Sequence, residues 1–330
     1  MIALILALLT FCAFAIIGAG LLAVVGADLR ELRIALTAPA VGTAVLMVPM
    51  FVVSRIGIRM DRGGPAVAWT YLFFLVPLAV MVWQSFQRDG LSLFHYRRLF
   101  STPLYLSAMA TTFQISLSVT AGCLLLGYPV AYLIATAGPR VRSLVLLLVV
   151  IPYWLDYIVR SYSWMVLLGR MGLVNRMLMA LGVTSEPISI LYSIWSVDVG
   201  MIQILLPLMV LTLYGAMHGI DQRLVQAAAI HGAGPWQAFR RVFFPLSLPG
   251  VYGACLLTFV VSMGFYITPA LLGGRKETMI SQLIYTLASD MLDWPLASAV
   301  SALLLVVSLL IVLVYNRLFS IDRLWGGATS

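Results

Sequence analysis

Asp156 and Asp198 stand out chemically because each interrupts an otherwise apolar stretch. An ionised side chain at mid-bilayer costs about 2.5–3.5 kcal/mol on insertion scales, so an acid kept there marks a functional path or a paired charge. Two readings are open for Asp156. It can line a solute path, or it can pair with Arg160 four residues on, in the favoured acid-first order, with the arginine snorkelling outward. Asp198 has no such neighbour, and a path role and a plain buried acid stand level for it. Tyr153, Trp154, Tyr157, Tyr162 and Trp164 crowd the stretch that holds Asp156. They suit an interfacial aromatic belt or a vestibule whose ring faces hold an organic cation.

Nothing else has the spacing of an active site. Lys276, the single lysine, follows Gly273-Gly274-Arg275 but precedes neither Ser nor Thr, so it is not a P-loop lysine. Cys12, Cys123 and Cys255 all sit in apolar stretches without a CxxC or metal spacing, which implies reduced, structural thiols. No catalytic Ser/His/Asp arrangement is present, and neither a metal nor a cofactor is expected. His218 and His231 lie in a polar connection, where a pH switch and a plain interfacial histidine are both open.

That connection, 217–250, is far longer than a helix hairpin needs. Its heart reads Gln226-Ala-Ala-Ala-Ile-His-Gly232-Ala233-Gly-Pro-Trp-Gln-Ala-Phe239, and Pro245, Pro249 and Gly250 follow. This predicts a short Ala-rich helix, a Gly-Ala-Gly-Pro break, a second amphipathic turn and a proline-marked start of the next apolar run. Small residues before a glycine let another backbone approach closely. A helix–turn lying at the membrane surface fits the same residues.

The elements that must position these residues are membrane helices. The chain is 62% hydrophobic and 10% charged, with a mean hydropathy of +1.04; soluble domains carry about a quarter charged residues. Apolar runs recur that are long enough to cross ~30 Å of hydrocarbon, without the period-two alternation of a barrel. Eight spans are expected, at 2–26, 34–54, 66–86, 107–135, 143–165, 190–216, 248–272 and 294–319. The net charge of +8 comes from arginines placed singly or in pairs between the spans. They read as topology anchors and not as a nucleic-acid surface. Basic residues divide almost evenly between the two sides, so charge alone does not orient the chain. The first run lacks a basic n-region and is longer than a signal-peptide core, which favours a retained helix.

The 226–250 segment resembles the EAA loop of binding-protein-dependent ABC importer permeases, with Gln226, Ala227, Ala228, Gly232, Ala233, Phe239, Pro245, Pro249 and Gly250 on the motif. The resemblance runs from about Pro65 to Phe319. Gly127-Tyr-Pro-Val-Ala-Tyr132, Val159-Arg-Ser-Tyr-Ser-Trp164, Leu168 to Asn175, Thr268 to Gly274 and Asp293 to Leu296 narrow it to the polyamine, opine and phosphonate group. It implies an all-α, polytopic type I ABC importer fold of about eight helices, a six-helix core plus an N-terminal hairpin. The implied organisation is a hairpin at 1–62 and a permease domain at 63–330 whose coupling loop is 217–250. It implies that Gln226, Ala227, Ala228, Gly232, Ala233 and Phe239 dock on an ATPase, which makes that loop and both termini cytoplasmic. The implied partners are a homologous second permease, ABC ATPase subunits, an extracytoplasmic binding protein and the lipid bilayer, with no nucleic acid. The implied location is the bacterial inner membrane, and ATP is hydrolysed on another chain.

Two departures qualify the resemblance. Gln226 stands where the family has an acid, and so loses a charge-assisted bond about twice as strong as a neutral one. Phe265, within Gly264-Phe-Tyr-Ile-Thr-Pro269, stands where polyamine-type permeases often carry an acid. The expected path residues are therefore Asp156, Asp198, Tyr157, Trp164, Phe265 and Tyr266. A polyamine-like solute leads, ahead of an opine, amino-acid-like or phosphonate compound. A secondary transporter would need inverted repeats and broken helices, and would leave the 217–250 loop unexplained.

Overall fold

A computed structural model of the protein describes residues 64–87 and 92–319. The described residues form α-helices joined by short 3-10 and π turns, with no strand among them. In hydrocarbon a backbone must satisfy its own N–H and C=O groups, which favours this outcome. The expected hairpin at 1–62, with Cys12, lies outside the described residues. The chain divides into two compact units, Met1–Trp83 and Gln84–Ser330. The described part of the first is helix α1, Gly64–Ser85, which contains Pro77 and no charged residue and continues into the second unit by two residues.

In the second unit come α2 (Phe94–Ser101), α3 (Pro103–Thr136), α4 (Pro139–Val150), α5 (Tyr157–Leu168) and α6 (Leu173–Ala180). Then follow α7 (Ile194–His218), α8 (Gln222–Ile230), α9 (Pro235–Met263), α10 (Ile267–Leu272), α11 (Ile280–Tyr285) and α12 (Trp294–Phe319). Helices α3, α7, α9 and α12 are each long and apolar enough to cross a membrane. Proline at N1 or N2 starts α3, α4 and α9, where its missing N–H leaves no intrahelical bond unmade.

Helices α3, α7 and α9 share the main core, built on Ile115, Val119, Cys123, Met201, Met209, Leu213, Phe243 and Ala254. A second cluster, with Leu99, Tyr105, Ile280, Leu296 and Val300, ties α2, α3, α11 and α12. Polar groups in these seams are used locally: the Thr112 hydroxyl accepts the Ile280 N–H at 2.8 Å and donates to the Ala108 carbonyl at 2.7 Å. Cys123 is buried, Cys255 is partly buried, and both are free thiols.

Two expected spans are corrected. The run at 143–165 is not one helix: α4 ends in a 3-10 turn, Ile151–Trp154, and the stretch Tyr157–Ala180 that begins with α5 leaves at 92°. Pro152 sits at the start of that turn, and Leu155 and Asp156 are extended, so the ladder stops there. The run at 248–272 starts earlier, inside α9, and ends at Met263; after a break at Gly264–Tyr266 the chain packs back as α10. Gly200 on α7 admits α10 closely, because a Cβ there would collide with Leu272 and Thr268 side chains.

Candidate functional site

The 217–250 connection folds as two helices around a tight corner. Asp221 caps α8 by accepting the Arg223 N–H at 2.9 Å. On α8, Gln226 and Ala227 are exposed and Ala228 is half-buried. The helix ends at Gly232, whose φ of +84° lies in the left-handed region, where an L side chain costs about 1–2 kcal/mol. Its N–H reaches the Ala229 carbonyl at 3.0 Å, and the Ala233 N–H reaches that of Ala228 at 3.0 Å. These paired bonds form a Schellman motif, which satisfies the last carbonyls of α8. Nothing lies within 4 Å of the place a Gly232 Cβ would take, so backbone conformation, not crowding, selects glycine here. Ile230, 85% exposed, and Trp236, 69% exposed, stand on either side of it.

The expected second amphipathic turn is the first part of α9. A π turn at Phe239–Phe243 interrupts the helix without ending it. Phe239, half-buried, lies 5.2 Å from the Tyr132 ring, 6.3 Å from the Tyr128 ring and 5.6 Å from Trp236, between ring centroids. Tyr132 also meets Phe243 at 4.9 Å, and the Tyr128 hydroxyl shares a 2.9 Å hydrogen bond with Ser247. Each such ring pair adds about 0.5–1.5 kcal/mol beyond burial. The corner is thus fastened to the end of α3, leaving a groove of about 390 Å³ lined by Tyr128, Pro129, Tyr132, Pro235, Trp236 and Phe239. With Asp221 committed to its cap, Arg223, Arg240 and Arg241 dominate the exposed charge.

Of the expected path residues, Tyr157 and Phe265 meet directly, and Asp156, Asp198, Trp164 and Tyr266 have other partners. Asp198, on α7, is only 8% exposed and accepts the Ser118 hydroxyl of α3 at 2.8 Å. Asp156 is exposed at the N-cap of α5 and accepts the Ile158 N–H at 2.6 Å. No ion pair joins it to Arg160; among the described residues the recorded salt bridge is Arg98–Asp293, at 3.5 Å. Tyr157 meets Phe265 edge to face, with ring centroids 6.4 Å apart. Tyr266 stacks on Tyr285 at 4.5 Å, and the Phe265 carbonyl accepts the Ser281 hydroxyl. Trp164 is half-buried against the main core. Ser161 and Thr268 share a buried 2.9 Å hydrogen bond that joins α5 to α10.

Sequence reasoning missed Ser118 as the partner of Asp198, and Tyr128 and Tyr132 as the cradle of Phe239. The tyrosines carried a usable signal, since their i, i+4 spacing places them on one helix face. Ser118 carried none, because its partner lies 80 residues away.

The sequence pattern of inner membrane components of binding-protein-dependent transport systems matches residues 124–321. The spermidine/putrescine transport system permease protein PotB of Haemophilus influenzae is 37% identical over 258 residues, covering 76% of this chain and 90% of that protein. PotB of Escherichia coli is 36% identical over 259 residues, covering 76% of this chain and 94% of that protein. Among solved structures, a bacterial ABC transporter that imports the acidic polysaccharide alginate matches with a TM-score of 0.62. It is 22% identical and covers 82% of this chain and 95% of its own. That likeness shows the type I importer fold.

Proposed function

Because the chain belongs to the family of inner membrane components of binding-protein-dependent transport systems, we propose that it works through two separated sites, a cytoplasmic coupling corner at Gly232 and a solute path that includes Asp198, and that it carries a polyamine-like solute. The chain is a multi-pass permease subunit of an ATP-driven importer in the bacterial inner membrane. It is not itself an enzyme; ATP is hydrolysed on a separate ATPase subunit. A homologous second permease, the ATPase subunits and an extracytoplasmic binding protein complete the assembly.

One observation carries the coupling reading: the motif residues sit on an exposed corner whose rings pack directly onto α3. Closure of the ATPase pair pulls on α8. The Schellman motif prevents α8 from unwinding, and Phe239 and Phe243 pass the displacement to Tyr128 and Tyr132. Because α3 shares its core with α7 and α9, the bundle responds as a packed unit between two arrangements. Gln226 keeps the reach of the family's acid without its charge.

Asp198 supports the amine reading. It is buried and has one neutral hydrogen-bond donor and, among the described residues, no cationic neighbour in ion-pair range. A buried carboxylate in that state gains from a passing cation. The aromatic faces of Tyr157, Phe265 and Tyr266 can add about 0.5–2 kcal/mol each toward a cation. Phe265, in place of an acid, favours a second reading, in which the cargo is an opine, an amino-acid-like compound or a phosphonate. Uptake of labelled putrescine, spermidine and 2-aminoethylphosphonate by the reconstituted importer tests both. Uptake of the phosphonate alone would refute the amine reading while keeping the architecture.

A further inference from the structure

The groove at the coupling corner continues between α3 and α9. A second cleft, of about 410 Å³, is lined by Leu124, Leu125, Phe244 and Val251. Tyr128 and Pro129 line both clefts, so the two meet there. The walls are fixed from behind. The Tyr128 hydroxyl is bonded to Ser247 across the two helices, and Tyr132 packs on Phe239 and Phe243.

The lining changes along the groove. Near the corner it is aromatic, with Tyr132, Trp236 and Phe239; farther along it turns aliphatic and ends at Ala121 and Val251. A membrane imposes that gradient between its interface and its hydrocarbon. From Tyr132 to Ala121 is about 16 Å along α3, close to the ~15 Å that one leaflet contributes to the hydrocarbon core. The corner end is basic. Arg240 stands four residues after Trp236 and four before Phe244, on their side of α9, and Arg241 follows it. Both are exposed and, among the described residues, neither is in an ion pair. Asp221, the only acid of the 217–250 connection, is used as the α8 cap.

We infer that an anionic phospholipid of the cytoplasmic leaflet occupies this groove, with one tail between α3 and α9 and its headgroup at Arg240 and Arg241. The inference rests on the coupling reading for the leaflet that the corner faces. A groove one leaflet deep, apolar within and cationic at its mouth, matches such a molecule end to end. Basic pockets between membrane helices on the cytoplasmic side take anionic headgroups, and arginine stems let the charge reach the interface. An extended peptide would bring N–H and C=O groups into a lining with few partners for them; a lipid tail brings none. Lying among the rings that tie α9 to α3, the tail braces the contact through which the corner pulls on α3.

Photolabelling of the assembled importer tests this. The probe is phosphatidylglycerol with a diazirine midway along one tail, diluted into phosphatidylcholine proteoliposomes. A phosphatidylcholine with the same tail is the reference. Label from phosphatidylglycerol is expected on peptides holding 121–129 and 244–251, about fivefold or more above the reference at equal dilution. Changing both arginines, Arg240→Gln and Arg241→Gln, should remove that excess. Arg223→Gln, which removes an equally exposed charge from α8, should leave it. Equal labelling by the two probes, no label on these peptides, or the same loss from Arg223→Gln overturns the inference. If the double variant does not assemble, the two probes on the unaltered importer still decide. A membrane-impermeant maleimide on Gln237→Cys, exposed at the corner, tests the placement separately. Reaction from the binding-protein side would refute the cytoplasmic corner. Reaction from the ATPase side alone, without lipid selectivity, sinks only this inference.

Discussion

The α8–α9 corner and the α4–α5 bend both interrupt helices, and they are built in opposite ways. At the corner every device is local: an Asp221 cap, a Schellman motif on Gly232 and Pro235 opening α9. Tyrosines of α3 then hold the corner from behind. Among the residues it leaves exposed, Ile230 and Trp236 are apolar tips beside an open glycine. At the bend the ladder stops in an extended dipeptide, Asp156 serves as a cap, Arg160 is unsatisfied and the rings face outward. The corner is complete within this chain and ready to be pulled. The bend keeps an unpartnered guanidinium and exposed rings.

The largest effect is expected from breaking the corner. Gly232→Asp places an L side chain at φ +84° and an unpaired charge in a docking contact, a combination worth about 3–5 kcal/mol. Transport should fall at least ~100-fold while the permease still folds; normal substrate-stimulated ATPase activity would show that the corner is not the coupling site. Next is Phe239→Ala, which removes the ring shared by Tyr128, Tyr132 and Trp236. For this half-buried ring a loss of about 2–3 kcal/mol is expected, at or below the low end of buried Phe→Ala changes. It should be read as a lower melting temperature together with ATP hydrolysis uncoupled from uptake. An unchanged coupling ratio would detach α3 from the relay.

The two acids sharpen the contrast on the path side. Asp198→Asn keeps the oxygen that accepts from Ser118 and removes the charge, so stability should hold. Uptake of a cationic solute should fall roughly tenfold, about 1.4 kcal/mol, and that of an anionic one little. Asp156→Asn should change uptake less, because asparagine caps a helix about as well as aspartate. Equal losses from both variants would move the path onto the bend. The smallest effect is expected for Gln226→Glu, which restores the family's charge on an exposed site; assembly measured by co-purification should be unchanged or tighter. A folded but uncoupled complex would mean that the docking surface has been rebuilt.

How much of this was legible follows from what each feature depends on. The long helices α3, α7 and α12 were readable because apolar run length is a local property. The coupling corner was readable in outline because its motif is contiguous, and Gly232 and Pro235 are strong punctuation. The continuity of α9 through Phe239 was not, since a π turn leaves no mark in composition. The 92° bend was missed because a largely apolar run of span length hides a helix break; Pro152 and Asp156 were the cues. The environment of Asp198 was out of reach, since Ser118 belongs to another helix and only packing brings it near. The i+4 spacing of Asp156 and Arg160 suggested a pair, but the spacing works only inside one helix, and Asp156 turned out to be its cap.

The central claim is that this chain couples ATP hydrolysis elsewhere to solute movement through itself. Its most direct test is labelled putrescine uptake into proteoliposomes holding this permease with its co-purified sister permease and ATPase. Uptake is predicted to require ATP on the ATPase side and the binding protein on the other, and to vanish with Gly232→Asp. Uptake driven by an ion gradient, without ATP and indifferent to Gly232→Asp, would contradict the account.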